Sequence, residues 1–406
     1  MPQLREAVIV DYYRSAFSRS RPREPEKDVF NSLRMDTVAG ILIKEILKRT
    51  KVDPKDINDV VVGTAMPVAE QWTYGGRNVV FQAELPVSVP AEQIDRQCGS
   101  SMSTIHEAAM EIMLGYTDVA ISCGIEHMTH IPMGLTQDDP RAILRQPDTR
   151  FVTDEKFKRY EFLTAMNMGL TAEKLFLESG YTREDMDKFA LKSHLLAAKA
   201  LQEGFFKGEI MPIEVTMADG TKQVIDHDMS IRADTTLEGL AALKPAFRPD
   251  GQITAGNSSP LNAGATAMLL MSKEKAKEYK LKPLATVFSM GWAGVEPSVM
   301  GKGPVPASLM ALKHAGLEAK DIDFWEINEA FCIVAMYAIK MLKIDPDKVN
   351  VKGGATAIGH TLGASGTRLT GSLARILNME GGTYGLANAC IGGGQGVAII
   401  IKKEKY

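Results

Sequence analysis

Four residues have both the side chain and the setting to do covalent chemistry: Cys98, His360, Cys390 and Asn328. Cys98 follows Arg96-Gln97 and opens the run Cys-Gly-Ser-Ser-Met-Ser, after which Ile105 to Leu114 has helical spacing. Its sulfur is therefore expected at a helix N-terminus, where the dipole and free N–H groups lower a thiol pKa and favour the nucleophilic thiolate. Small neighbours, Gly99, Ser100 and Ser101, are expected to leave room for a substrate against the backbone. His360 lies in a stretch from Gly353 to Gly366 so poor in large side chains that the chain must turn tightly there, which places an imidazole as a base. That stretch lacks the Gly-Lys-Ser/Thr ending of a phosphate loop. Cys390 precedes Ile391-Gly392-Gly393-Gly394 at the end of a strand-like segment, where backbone amides can converge on an oxyanion. Asn328 follows the strand-like Phe324 to Ile327 and suits the orientation of a water or an oxyanion. Taken singly, each has a plainer reading: a packing cysteine, a glycine-rich turn with an incidental histidine, a helix N-cap. Cys123 and Cys332 read as core residues of a strand and an apolar helix. Cys123, His127 and His130 have a spacing that could suit a metal, but no fourth ligand is evident, so no metal is expected.

Something must bring residues so far apart in sequence together. Strand-like runs such as Glu6 to Val10 and Asp59 to Val62 alternate with amphipathic stretches such as Asp36 to Arg49, the pattern of a layered α/β protein. An internal echo gives the arrangement. Lys55-Asp56-Ile57 returns as Lys320-Asp321-Ile322, an offset of 321 − 56 = 265 residues, each time between a helical stretch and a strand-like run. Cys98 to Ser101 has a counterpart in His360 to Ser365, and DVAISCG from Asp118 matches YGLANACI from Tyr384. These matches describe two copies of one α/β unit, at about 1–130 and 280–406, separated by an insertion. The insertion, 131–255, is richer in charge, has helical patterns at Gly169 to Glu178 and Arg183 to Gln202, and reads as a separate lid. Two such units related by a pseudo-twofold axis would bring Cys98 and His360 together at helix N-termini.

Composition narrows the partners. A chain of 406 residues, 45% hydrophobic, can bury a large core. Its 47 basic and 50 acidic side chains leave a formal charge of −3, which gives no broad cationic field for nucleic acid, so an anionic ligand must be held by local basic residues. Four cysteines in so long a chain make no disulfide framework. The N-terminal stretch lacks the pattern of a secretory signal and no apolar run approaches about twenty residues, so a cytoplasmic protein without a membrane span is expected.

Together, Cys98-Gly-Ser-Ser, Asn328-Glu-Ala-Phe, Gly353-Gly-Ala-Thr-Ala-Ile-Gly-His360 and Cys390-Ile-Gly-Gly-Gly-Gln-Gly resemble, in order, the signatures of the thiolase family. The resemblance covers nearly the whole chain and implies the thiolase fold: two duplicated α/β/α-type halves with mixed sheets packed in five layers, plus an inserted loop domain. The halves would be 1–130, completed by about 250–280, and 281–406, around a CoA-binding loop domain at 131–255. It implies a degradative 3-ketoacyl-CoA thiolase, an acetyl-CoA acyltransferase of β-oxidation. Cys98, activated by His360, would attack the 3-keto carbon; Cys390 would protonate the departing enolate, stabilised by His360 and a water on Asn328; the backbone N–H groups of Cys98 and Gly392 would hold the acyl carbonyl. Coenzyme A would be co-substrate, with no prosthetic group. Arg232 would lie near its nucleotide end and Ser259 along its pantetheine, while Met168, Met300 and Phe331 would surround the acyl group. A homodimer or homotetramer is implied, with a β-oxidation partner subunit as a further possibility. Asn167-Met168-Gly169 in place of His-Met-Gly, and Met300-Gly-Lys-Gly-Pro-Val-Pro-Ala, look closer to the degradative type than to the biosynthetic acetoacetyl-CoA thiolase, the first alternative; a degenerate CoA-binding subunit is the second. Two departures stand out: Thr361 where proline is usual after the histidine, and Asn262-Ala263 for Asn-Asp or Ser-Asp.

Overall fold

In the computed structural model, which describes residues 4–133 and 148–404, the first half opens with strand β1 (Ala7–Ser15). Val8 and Val10 enter one apolar layer and Ala7 and Ile9 the opposite one. A strand buried on both faces is apolar at successive positions, which explains the run AVIV. Helix α1 (Met35–Thr50) buries Met35, Val38, Ala39, Leu42, Ile43 and Ile46, one stripe at helical spacing. Then come β2 (Asp59–Gly63), α2 (Arg77–Gln82), β3 (Ala91–Ile94), α3 (Ser100–Leu114) and β4 (Val119–His127). The inserted segment carries α4 (Arg150–Thr153), α5 (Phe162–Ala165), α6 (Met168–Ser179), α7 (Arg183–Gln202), β5 (Ile210–Met211), the hairpin β6 (Ile213–Thr216) and β7 (Lys222–Ile225), and α8 (Leu237–Ala241). Strand β8 (Ala263–Ser272) returns to the first half, and α9 (Lys273–Glu278) leads to the second. That half comprises β9 (Ala285–Gly294), α10 (Pro304–Ala315), β10 (Phe324–Ile327), α11 (Cys332–Leu342), α12 (Ala355–Ile358), α13 (Ser365–Met379), β11 (Tyr384–Ile391) and β12 (Gln395–Lys403).

The duplication is visible in the strand order. The first half runs β1-β8-β4-β2-β3 and the second β9-β12-β11-β10, with a parallel bridge from Trp325 to Val349 where the first half has β3. Both copies of the Lys-Asp-Ile echo end a single 3-10 turn, Pro54–Asp56 and Ala319–Asp321, just before the equivalent strands β2 and β10. The half-sheets are not separate. β1 and β9 pair antiparallel through Val8 with Thr286 and Ile9 with Ala285, which, with the short β5 beside β1, makes one ten-stranded mixed sheet.

Three apolar layers lie between the elements. One packs α1 on the first half-sheet; the middle one encloses α3 and α13 between both half-sheets; a third packs α10 and α11 on the second. The succession is helix, half-sheet, helix pair, half-sheet, helix. Gly366 lets the central helices meet, since a Cβ there would lie 2.2 Å from the backbone nitrogen of Met102, and the Thr367 N–H donates to Ser101 Oγ at 3.0 Å. This contact sets the starts of α3 and α13, and hence Cys98 and His360, side by side.

The inserted segment departs from the expected separate lid. Phe205, Phe206, Ile210 and Ile213 join the core of the first half. Arg14 of β1, fully buried, forms two bonds to Asp228 at 2.7 and 2.8 Å and one to Glu209 at 2.7 Å. A guanidinium can be buried only with its charge matched and its donors satisfied, so this group fastens the insertion to the sheet. No helix among the described residues is long and apolar enough to cross a membrane.

Candidate active site

Cys98 occupies a 3-10 turn, Gln97–Gly99, immediately before α3. The turn is held in an unusual shape: Gln97 has φ +47°, and its backbone N–H donates to Asp95 Oδ1 at 2.7 Å while its side-chain amide donates to the Ala65 carbonyl at 3.1 Å. Ser100 Oγ donates to the Gln97 carbonyl at 2.6 Å and accepts from the Arg96 N–H at 2.9 Å. A non-glycine residue at positive φ costs on the order of 1 kcal/mol and persists only where its surroundings over-determine it. The small neighbours serve packing rather than substrate access. Ser100 and Ser101 are fully buried, and a Cβ on Gly99 would lie 2.6 Å from the Ile391 side chain.

The electrostatics of Cys98 run against the expected lowering. The backbone N–H groups of Gly392 and of Cys98 itself do pull its pKa down, but burial is the larger effect and pushes the thiol up to about 12. Burial also holds His360 down to about 3, with the Arg368 cation adding to the effect. At neutral pH the pair is therefore uncharged, a thiol beside a neutral imidazole. A Cys98 acting as nucleophile would therefore form its thiolate during attack rather than before substrate arrives.

His360 is fixed through both ring nitrogens and its backbone. Nδ1 lies 2.6 Å from Ser365 Oγ, and Nε2 lies 3.4 Å from Asn328 Nδ2. In this orientation of the Asn328 amide its nitrogen can only donate, so Nε2 is the unprotonated nitrogen and Nδ1–H donates to Ser365. Asn328 Oδ1 is buried without a protein partner, an acceptor free for a water or a substrate. The His360 N–H donates to Asn262 Oδ1 at 2.8 Å, and Asn262 Nδ2 donates to the Ser18 carbonyl at 2.6 Å. Gly359, at φ +116°, lies flat against the Asn262 amide, 2.8 Å from where a Cβ would be. Glu126 completes the cradle, accepting from the N–H groups of Ala65 at 2.9 Å and Gly363 at 3.0 Å, one on each half of the molecule. Thr361 has φ −85°, close to the angle proline imposes, so the loop keeps a proline-compatible shape at this residue.

Cys98 and His360 line one cavity of about 330 Å³. Its walls are apolar and rich in methionine: Met128, Met133, Met166, Met168 and Met300, with Phe247 and Phe331. Met168 opens α6, whose N-cap Asn167 accepts from the N–H groups of Gly169 and Leu170. A Cβ on Gly392 would lie in contact with the Met168 sulfur, at 3.4 Å. Cys390 is not on the wall. It is fully buried at the end of β11 among Met300, Phe331 and Cys332, and burial, followed by the neighbouring Cys98, pushes its pKa upward. Ser259 lines the cavity, its hydroxyl donating to the Ala330 carbonyl at 3.0 Å. Arg232 is farther out, in a hollow of about 400 Å³ that shares Ser258 and Pro260 with the cavity. Of the five residues expected around CoA, Met168, Ser259, Met300 and Phe331 line this cavity and Arg232 lines the neighbouring hollow.

Cys123 lies in the core of β4, while the rings of His127 and His130 stack with centroids 3.6 Å apart. No group of three or more candidate metal ligands occurs among the described residues. Asn262, Ser365 and Glu126 were not found by sequence reasoning as parts of the site. Asn262 stood out only as a departure from a pattern, and nothing in sequence spacing ties Glu126 to a loop more than two hundred residues away.

Comparison with known proteins accords with this geometry. Residues 7–274 match the family description "Thiolase, N-terminal domain" and residues 281–403 "Thiolase, C-terminal domain". The chain is 41% identical over 401 residues to a 3-ketoacyl-CoA thiolase of Marinobacter nauticus, with 98% of each chain covered. It is 43% identical over 406 residues to one of Saccharophagus degradans, with 99% of each covered. Among solved structures it is similar to human mitochondrial 3-ketoacyl-CoA thiolase, with a TM-score of 0.87, 34% identity and coverage of 99% of this chain and 100% of that one. It is also similar to the acetyl-CoA acetyltransferase of Bacillus anthracis, with a TM-score of 0.86, 35% identity and both chains covered completely. The two family models, which together span most of the chain, and relatives 41% and 43% identical over nearly its whole length make this protein a member of the thiolase family.

Proposed function

We propose that this chain is a degradative 3-ketoacyl-CoA thiolase, cleaving 3-ketoacyl-CoA with CoA to acetyl-CoA and a shortened acyl-CoA. The observation that carries the reading is the shared cavity, in which Cys98, beneath the Gly392 N–H, and His360 face a methionine-lined wall. Cys98 Sγ attacks the 3-keto carbon while its proton passes to His360 Nε2. The bond between C2 and C3 breaks, leaving the acyl group on Cys98 and an acetyl-CoA enolate, whose oxygen accepts from the imidazolium and from a water on Asn328. Cys390, off the cavity wall but close enough to Cys98 for the two sulfurs to influence each other, protonates the enolate carbon and becomes a thiolate. A second CoA gives its proton to Cys390 and its sulfur to the acyl carbon, the acyl carbonyl resting on the N–H groups of Cys98 and Gly392, and His360 returns its proton to Cys98. Such charge-neutral pairs suit a site where burial disfavours every ionised resting form.

The reading needs CoA as co-substrate and no prosthetic group. It takes 131–255 as the CoA-binding loop domain between halves at 1–130 and 281–406, supported by the contribution of Met168, Arg232 and Phe247 to the connected hollows. Flexible thioether side chains adapt to acyl chains of different length, which favours the degradative over the acetoacetyl-specific alternative. A cytoplasmic homodimer or homotetramer is part of the proposal. Its support is the edge strand β3, near which Trp72, Tyr74, Phe81 and Val87 are exposed. The test is thiolysis of acetoacetyl-CoA and of a longer 3-ketoacyl-CoA by the wild type and by Cys98→Ala. Cleavage of both, faster with the longer chain and lost in the variant, is expected; cleavage of acetoacetyl-CoA alone would make the enzyme biosynthetic, and cleavage of neither would leave a CoA-binding subunit.

A further inference from the structure

Beyond the cavity, the segment after β1 carries Arg19, Arg21 and Arg23, three arginines in five residues. Arg19 lines the hollow that holds Arg232, and together with Arg21 and Arg23 it also lines a larger one of about 930 Å³. Both hollows share Ser258 and Pro260 with the cavity that holds Cys98, and the larger one also shares Ser259 and Leu261. Arg14, Arg34, Arg49, Arg183, Arg248 and Arg368 each form an ion pair, whereas Arg19, Arg21, Arg23 and Arg232 form none with any described residue. The walls contain two carboxylates, Asp234 and Glu24, and Glu24 is already paired with Lys27. Burial, and after it the nearby cations of Arg21 and Arg232, hold Arg19 below its ordinary pKa, so these charges repel one another across the gap.

The segment is anchored, so the repulsion is built in. The Ser18 and Ser20 N–H groups donate to the carbonyls of Ala263 and Leu261 at 2.9 and 2.8 Å, and the Arg21 N–H donates to Thr129 Oγ1 at 2.8 Å. From the other side, the Arg232 N–H donates to His194 Nδ1 at 3.2 Å. Preorganised, unpaired guanidinium groups around an open hollow are matched by a compact polyanion.

We infer that Arg19, Arg21 and Arg232, with Arg23 at the rim, form a two-sided clasp for the phosphorylated ADP end of coenzyme A, and that the segment after β1 thereby selects CoA over carriers without the nucleotide. The inference rests on the thiolase reading for the identity of the ligand. It adds that the nucleotide is gripped from the N-terminal half as well as from the loop domain.

With the acyl donor saturating, kcat/KM is measured for CoA, dephospho-CoA and pantetheine as acceptor thiols, in the wild type, Arg19→Ala, Arg21→Ala and Arg19→Lys. Each alanine variant is expected to lower kcat/KM for CoA about tenfold, a loss that shrinks from CoA to dephospho-CoA to pantetheine, as expected for a lost charge-assisted hydrogen bond. Arg19→Lys should recover part of it. An unchanged ratio of CoA to pantetheine across the variants would overturn the clasp, whether the variants are active or merely unstable. Calorimetric titration with adenosine 3′,5′-bisphosphate separates this inference from the thiolase reading, because it needs no turnover. Binding by the wild type that weakens in both alanine variants supports the clasp even if thiolysis fails; equal binding by all, or none by the wild type, refutes it.

Discussion

Asn262→Ala tests whether one amide holds the base in place. The side chain is fully buried, accepts from the His360 N–H at 2.8 Å and donates to the Ser18 carbonyl at 2.6 Å. Truncation leaves a buried donor and a buried acceptor without partners, at about 1–3 kcal/mol each, or roughly 2–6 kcal/mol in total. It also removes the surface against which Gly359 lies at φ +116°. If His360 then shifts by about 1 Å, kcat falls about a hundredfold. Asn262→Asp, nearly isosteric, keeps the acceptor for His360 and loses the donor to Ser18, so it should fall between the two. The assay pairs thiolysis of a 3-ketoacyl-CoA with urea unfolding of the same preparations. Loss of kcat with a lowered midpoint in Asn262→Ala is expected; an unchanged kcat together with an unchanged midpoint would refute the assignment of Asn262 as a positioning residue.

The remaining predictions use other readouts. With its thiol pushed up to about 12, Cys98 should react with iodoacetamide at a rate that rises about tenfold per pH unit from pH 7 to 10, and a plateau near neutrality would show a preformed thiolate instead. His360 is held down to about 3, against about 6.5 for a free imidazole, so between these values the unfolded chain binds the extra proton. Its contribution to stability is therefore complete above about pH 6.5 and is lost as the pH falls towards 3; His360→Asn should flatten that part of the unfolding profile, and an unaltered slope would count against it. Arg14→Met leaves Asp228 as a buried carboxylate without its cation and Glu209 with Arg375 alone, and should cost about 3–5 kcal/mol in urea unfolding, whereas a loss below about 1 kcal/mol would mean the insertion is held by its apolar contacts alone.

What could be read from sequence, and what could not, divides along physical lines. The turn at Cys98, the loop at His360 and the turn after Cys390 were legible as backbone shapes because tight turns demand glycine and small residues in consecutive runs. Helices α6 and α7 were legible from their apolar spacing, the expected Arg183 to Gln202 coinciding with α7 and Gly169 to Glu178 falling one residue inside α6 at each end. Strands β5, β6 and β7 were missed, being only two to four residues long. The edge pairing of β1 with β9 involves only two residue pairs, and no local pattern distinguishes such an edge from a free one. Sequence reasoning also mistook the purpose of Gly99, Ser100 and Ser101, since a small residue that admits a substrate and one that admits a helix look the same. It misjudged the thiol because a helix N-terminus can be inferred from spacing, whereas the depth at which it is buried depends on the whole fold.

The meeting of α3 with α13 through Ser101 and Gly366 has a further consequence. Two copies of one unit bring corresponding loops together, and here the loops differ, one carrying sulfur and the other imidazole. The chain thus behaves as a heterodimer fused into a single polypeptide, with a division of labour that neither copy can perform alone. Damage to one loop finds no backup in the other, and a chain severed between Glu278 and Ala285 would have to regain that helix contact before either fragment could turn over substrate.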